Sequence, residues 1–136
     1  MKYYLAKSDP LVYSINELER DGVTDWDGVR NAQAQQAIRA MQHGDCVICY
    51  HSLGQAAVVG WGYVEGEVWV DKDDPKMSVF KYRFGGRLVE PISLTEVKQS
   101  GLFENFALVR QSRLSTMAVP KEFVVWLKKR AKDFRP

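Results

Sequence analysis

The sequence predicts an α+β fold built on a small, strongly curved, antiparallel-rich sheet or barrel. First, from Asp45 to Glu90 the apolar pattern is strand-like, with Gly54, Gly60, Gly62, Gly66 and the pair Gly85-Gly86 placed as turns, bends or bulges. Second, the chain ahead of this region carries helix caps and helical spacing, and short helical segments return behind it. Third, strands that follow one another this closely with glycine bends suggest a small, strongly curved sheet or barrel. At 136 residues and 46% hydrophobic composition the chain fits one domain spanning residues 1–136.

The elements follow in order. Lys2 to Ala6 reads as a short Tyr-rich strand, closed by the turn Lys7-Ser8-Asp9-Pro10, where Pro10 pushes Asp9 into an extended conformation. Ser14 opens a short helix with Glu17 at capping-box spacing, and Gly22 ends it. After the stretch Trp26-Asp27-Gly28-Val29-Arg30-Asn31 comes a second helix, to Met41, whose Ala34, Ala37, Ile38 and Met41 mark one buried face; Gly44 suits its C-terminal cap. Cys46 to His51 is a strand, Ala56 to Val70 one long or two shorter strands, and Lys72 to Lys76 a solvated loop. Phe80, Tyr82 and Phe84 alternate with Lys81 and Arg83 on a strand that Gly85-Gly86 interrupts before Arg87 to Glu90. Ser93 with Glu96 is a second capping box, and Leu102 to Val109 has no clear period. Arg110 to Ala118 reads as loop and strand, and Pro120 sits at the first turn of a final helix carrying Phe123, Val124, Leu127, Ala131 and Phe134.

The longest uncharged apolar runs, Ala56 to Val64 and Cys46 to Tyr50, fall far short of the roughly 20 residues of a membrane helix, and Lys2 and Lys7 leave no signal-peptide core between them. A cytoplasmic location is expected, or a nuclear one in a eukaryote. Net charge is +2, unevenly spread: Lys121, Lys128, Lys129, Arg130, Lys132 and Arg135 against Glu122 and Asp133 give residues 121–136 a charge of +4, which leaves −2 for the rest. Such a segment can steer a polyanion, and it is equally the solvated face of a helix.

Several chemistries can be weighed and set aside. His43, Cys46, Cys49 and His51 have zinc-ligand chemistry, but Cys46-Val47-Ile48-Cys49 lacks the glycine of a knuckle, and on a strand the two thiols face opposite ways. That geometry also opposes a disulfide or a redox dithiol, so no metal and no cofactor are expected. His51 and Ser52 are adjacent on a strand and cannot cooperate as base and nucleophile, and no nucleophile elbow is present. Asp9, Asp25 and Asp27 are each explained by caps or turns, and Gly60-Trp61-Gly62 puts a bulky ring where a phosphate loop needs open backbone.

A binding constellation survives. Trp26 offers a stacking face worth about 1–3 kcal/mol to a base. Asn31 can bond a base edge in bidentate fashion, Ser8 and Asp9 sit at a Pro-fixed turn, and Tyr50, His51 and Ser52 end a strand with three polar heads. Singly, Trp26 is as well explained as a core residue and Asn31 as a helix N-cap. Together these residues exceed what caps require.

The chain also resembles a known family. Lys7-Ser8-Asp9-Pro10 with Tyr13-Ser14, Trp26 to Asn31 with Gln33-Ala34, Gly44-Asp45, Tyr50-His51-Ser52, Leu108-Val109-Arg110 with Arg113-Leu114-Ser115, and Val119-Pro120 look in order like the EVE domain, over nearly the whole chain from about Lys2 to about Leu127. The resemblance implies a PUA-like fold, a curved mixed sheet closing into a pseudo-barrel with short helices around it. EVE domains are similar to YTH domains, which hold a methylated base in an aromatic cage. The implied function is therefore non-catalytic recognition of a modified base in DNA or RNA. By that likeness Trp26 is a cage wall, Ser8, Asp9, Asn31, Tyr50, His51 and Ser52 line the pocket, and Arg30, Arg110 and Arg113 contact phosphate or the rim. Asp9 stands where the family usually has Glu, Ala32 where many members have a bulkier residue, and the segment from Val68 to Met77 is shorter than the family's long insertion.

Two other readings remain open. Related PUA-like domains of the ASCH type include hydrolases, for which His51 or Asp9 would be the first acid or base. A plain interaction module for a protein or small molecule is the third. The modification, the choice of DNA or RNA and the oligomeric state are not written in the sequence.

Overall fold

A computed structural model describes residues 1–136. The chain runs β1 (Tyr3–Ser8), α1 (Ile15–Asp21), β2 (Val23–Trp26), α2 (Ala32–Ala40), β3 (Cys46–His51), β4 (Ala57–Asp71), β5 (Asp74–Ser93), α3 (Leu94–Gln99), α4 (Ala107–Arg110), β6 (Thr116–Ala118) and α5 (Lys121–Arg130). The strands form one six-stranded sheet in the order β2-β5-β4-β3-β1-β6. It is mixed and not closed: β1 pairs with β3 in parallel, and every other pairing is antiparallel. This is the helix-flanked α+β sheet, rich in antiparallel pairs, that the sequence predicts. None of its helices is long and apolar enough to cross a membrane.

The parallel pair is covered on both faces, which is why its strands read as continuous apolar runs. Leu5, Cys46, Ile48 and Tyr50 belong to one core with Phe123, Val124 and Leu127 of α5. Tyr4, Ala6, Val47 and Cys49 belong to a second, with Ile15 and Leu18 of α1 and Ile38 and Met41 at α2. The period-two alternation places Cys46 and Cys49 on opposite faces, as expected. Burial pushes both thiols up to about 12, so neither is an available thiolate.

The helix starts follow their caps. Ser14 and Glu17 form the reciprocal capping box of α1, and Gly22 closes it at φ 76. At α3 only half of the expected box forms: Ser93 Oγ accepts the Glu96 N–H at 3.1 Å, while the Glu96 carboxylate pairs with Arg130. Gly44 is not the cap of α2; that place falls to Met41 in an extended conformation, and Gly44, at φ 87, turns the chain into β3 instead. Ala131 caps α5 and Phe134 lies beyond it, yet both stay buried, so the apolar face outlasts the helix.

Three strand expectations need correction. The expected loop from Lys72 to Lys76 is a tight turn, because β5 already begins at Asp74. Gly85-Gly86 does not interrupt β5; these glycines let the Trp61 ring lie against the strand backbone. A Cβ on Gly85 would stand 2.7 Å from the indole, and one on Gly86 closer still. Finally, Val23–Trp26 is a short edge strand pairing Trp26 with Phe80, which four residues among turn formers did not announce.

Gly86→Ala is expected to lower stability by about 1–3 kcal/mol through overpacking against Trp61. An unchanged urea midpoint would show that the indole is not held against β5.

Candidate functional site

The parallel register sets Ser8 beside His51 and Lys7 beside Tyr50, so the carboxyl ends of β1 and β3 open side by side. The turn after β1 is tied down locally. Leu11 N–H donates to Asp9 Oδ1 at 2.9 Å, Val12 and Tyr13 N–H both donate to Asp9 O at 2.9 Å, and Ser8 Oγ donates to Tyr13 O. Asp9, expected to line a pocket, thus spends its carboxylate on an Asx turn. Ser52 N–H donates to Ser8 O at 3.0 Å, which carries the pairing one residue past the strands.

Trp26 ends β2 half-buried. Its ring meets Tyr13 and Tyr82 edge-on, at centroid distances of 6.0 and 5.3 Å, and leans on Phe80 at 6.4 Å. The indole is therefore both a packing residue and a wall. It faces a cleft of about 300 Å³ with Ser8, Val12, Tyr13, Thr24, Asp25 and Asp27. Two aromatic rings and two carboxylates meet there, and Asp25 is paired with Lys81 at 2.9 Å.

A second cleft, also about 300 Å³, gathers Asn31, Arg110, Ser112 and Arg113. Asn31 is the N-cap of α2, its Oδ1 accepting the Ala34 N–H at 3.0 Å, and this leaves its amide NH₂ to face a ligand. Arg110 donates to Asn105 at 3.2 Å. Lys7 ties this cleft to β1: its ammonium donates to Ser112 O at 3.0 Å and lies 5.7 Å over the Tyr50 ring, and burial holds its pKa below the ordinary value.

His51 opens on a third cleft, of about 560 Å³, floored by Ile15, Ala57, Val59 and Leu88 and edged by Arg87. Its Nε2 accepts the Ile15 N–H at 3.1 Å, so this nitrogen carries no proton. Burial, with Arg87 adding to it, pulls the imidazole pKa down.

The expected residues therefore divide. Ser8 and Trp26 meet in one cleft, Asn31, Arg110 and Arg113 in another, and His51 in a third. Tyr50 lies under Lys7 with 2% of its surface exposed and walls none of these clefts, because position 50 of a strand covered on both faces points into the core. Arg30 is exposed and lines none of the three.

Sequence reasoning quoted Lys7 and Tyr13 only as parts of a motif and explained Asp27 by caps or turns; it missed Arg87, and above all Gln35. Buried on α2, Gln35 donates to Val29 O at 2.6 Å and Ser78 O at 3.3 Å, and accepts the Ser78 N–H at 2.8 Å. It clamps the loop after Trp26 to β5. A polar side chain next to Ala34 and three before Ile38, on the apolar face, was the available signal.

The family model for the EVE domain matches residues 2–129. Thymocyte nuclear protein 1 of Rattus norvegicus is 29% identical over 156 residues, covering 88% of this chain and 69% of that protein. A crystal structure of a protein from Agrobacterium tumefaciens has a TM-score of 0.90 at 32% identity, over 96% of this chain and 92% of that one. The crystal structure of human THYN1 protein in complex with 5-methylcytosine containing DNA is a likeness of fold, with a TM-score of 0.87 at 24% identity over 100% of each chain.

Gln35→Leu should cost about 1–3 kcal/mol for each buried partner left unsatisfied, and hydrogen exchange at Ser78 should quicken; unaltered exchange there would show that the clamp does not hold β5. A second expectation concerns His51. Its folded pKa lies below its unfolded value of about 6.5, so the unfolded chain binds more protons in that window. The His51 contribution is complete above about pH 6.5 and falls as pH drops towards the folded pKa. His51→Gln keeps an acceptor for Ile15 N–H and removes the titration, so the stability advantage of wild type over variant should shrink between about pH 7.5 and about pH 5.5. Parallel stability curves would rule this out.

Proposed function

Since the chain belongs to the EVE domain family, we propose that it binds nucleic acid carrying a modified base, DNA in the first instance, and holds the base in the Trp26 cleft without turning it over. The observation that carries this reading is the pairing of two unlike clefts around one strand end. One is aromatic with a carboxylate rim; the other holds two arginines and an asparagine.

Each suits a different part of a nucleotide. A base stacks on Trp26 beside Tyr13, and stacking supplies about 1–3 kcal/mol. The carboxylates of Asp25 and Asp27 repel phosphate but accept a hydrogen bond from an exocyclic amine, which cytosine and adenine carry and thymine lacks. The phosphates then rest on Arg110 and Arg113, with Asn31 between backbone and base. The fold neighbour solved with DNA containing 5-methylcytosine supports this class of ligand. Binding without turnover is supported by His51, whose Nε2 is already engaged by Ile15 and which opens on a different cleft from Trp26.

One added methyl buried on an apolar wall contributes about 0.8 kcal/mol, so methylated over unmethylated oligonucleotide should be preferred about fourfold. Trp26→Leu keeps an apolar filler against Phe80 and Tyr82, and should lose roughly 5- to 150-fold in affinity for the modified strand. If the folded variant binds as wild type does, the base is not in this cleft. Arg113→Gln should lower the slope of log affinity against log salt by about one unit with the methyl preference retained; loss of preference with an unchanged slope would place Arg113 on the base instead.

A further inference from the structure

We infer that Leu11 and Val12 form an apolar wedge that enters the base stack of a duplex and takes the place of a nucleotide turned out into the Trp26 cleft. This rests on the reading of that cleft as the base pocket.

Leu11 and Val12 are 90% and 75% exposed. Single exposed apolar side chains are ordinary, but here two stand together on a turn that cannot collapse. Pro10 restricts the chain before them, Asp9 receives the N–H groups of Leu11, Val12 and Tyr13, and Ser8 Oγ donates to Tyr13 O. A turn so tightly bonded holds its apolar tip out in water rather than folding it onto the sheet. Of the large apolar residues that stand exposed, Val12 is the one that lines the Trp26 cleft; Leu53 and Val89 line the His51 cleft instead. The tip is therefore continuous with the pocket.

A base inside a duplex cannot reach a stacking pocket until it is extruded, and the gap left behind has to be filled. Proteins that open a base step do so with leucine, isoleucine, methionine or phenylalanine on a rigid support. One base occupies about 3.4 Å along its strand, close to the thickness of a branched aliphatic side chain. The arginines line a different cleft from Val12, and the Lys7 bond to Ser112 O ties their loop to β1, so phosphate binding and stack entry fall to separate groups of residues.

The test uses the full chain and one methylated sequence in two forms, single-stranded and duplex, with 2-aminopurine beside the methylated base. Leu11→Ser, at the tip residue that lies outside the Trp26 cleft, should keep the thermal transition of wild type. It should bind the single strand within about twofold of wild type, lose at least about tenfold on the duplex, and lose the 2-aminopurine fluorescence rise that wild type produces there. Unchanged duplex affinity in the variant overturns the wedge. So does an equal loss on both forms, which would make the tip a contact to the strand itself. Failure of the pocket reading looks different: wild type would then bind methylated and unmethylated strands alike.

Discussion

The parallel pairing of β1 with β3 is the constraint on which the rest of the molecule depends. Hydrogen bonds hold six residue pairs in register from Tyr3 and Cys46 to Ser8 and His51, and helices cover both faces. Because β1 is followed by a turn and α1, and β3 by a turn and β4, both chains must leave the sheet at the same end. The polar residues at positions 7 to 9 and 51 to 52 gather at that end as a consequence of topology, with Ser8 and His51 at separate clefts. Ligands of open sheets gather at the carboxyl ends of parallel strands for the same reason. A one-residue slip would exchange the two faces, sending Tyr4 and Ala6 into the core of Leu5 and Ile48.

How much of this was legible varied with the physics behind each feature. The caps at Ser14 and Asn31 were readable because they are local, each spanning three residues. The opposed faces of Cys46 and Cys49 followed from strand period alone. By contrast, β2 is defined by pairing with residues nearly sixty positions away, and its four residues carry too little pattern to reveal a partner that distant. Gly85-Gly86 looked like a break since local sequence shows the missing side chains and conceals the Trp61 ring that fills their place. The site was legible as a set of residues and illegible as an arrangement. Trp26 and Ser8 do share a cleft, but Asn31 stands with the arginines and Tyr50 is core, because side-chain direction is set by tertiary contacts.

Charge placement sharpens the division of labour. The +4 carried by residues 121–136 first draws attention, but Lys121 and Lys128 line a groove with Tyr3 and Val124, at the amino end of β1. The basic residues at the carboxyl end include Lys7, Arg87, Arg110 and Arg113, drawn from separate segments, and no local charge count brings them together. Lys7 is the informative one. A lysine with a lowered pKa has given up part of its hydration, and it is compensated by the Ser112 carbonyl and the Tyr50 ring. Its ammonium acts as a strut between β1 and the arginine loop.

The stretch from Trp26 to Asn31 has to satisfy two opposed demands. An aromatic wall must be rigid, which is most simply achieved by burying it, yet a buried ring offers no face to a ligand. This chain meets both by rigidifying the backbone instead. Trp26 is the last residue of an edge strand, held by its ladder to Phe80, with ring edges resting on Tyr13 and Tyr82. Beyond it Gly28 turns at φ 74, a conformation costly for other residues. Gln35 then seizes the Val29 carbonyl from inside the core, and Asn31 starts α2 with its own cap. Apart from the ring contacts of Trp26 and the turn at Gly28, these restraints are bonds to backbone. The side chains of Asp27 and Arg30 are thereby left exposed beside the half-buried Trp26 on a restrained backbone, and a restrained loop binds at a lower entropic cost of ordering on contact.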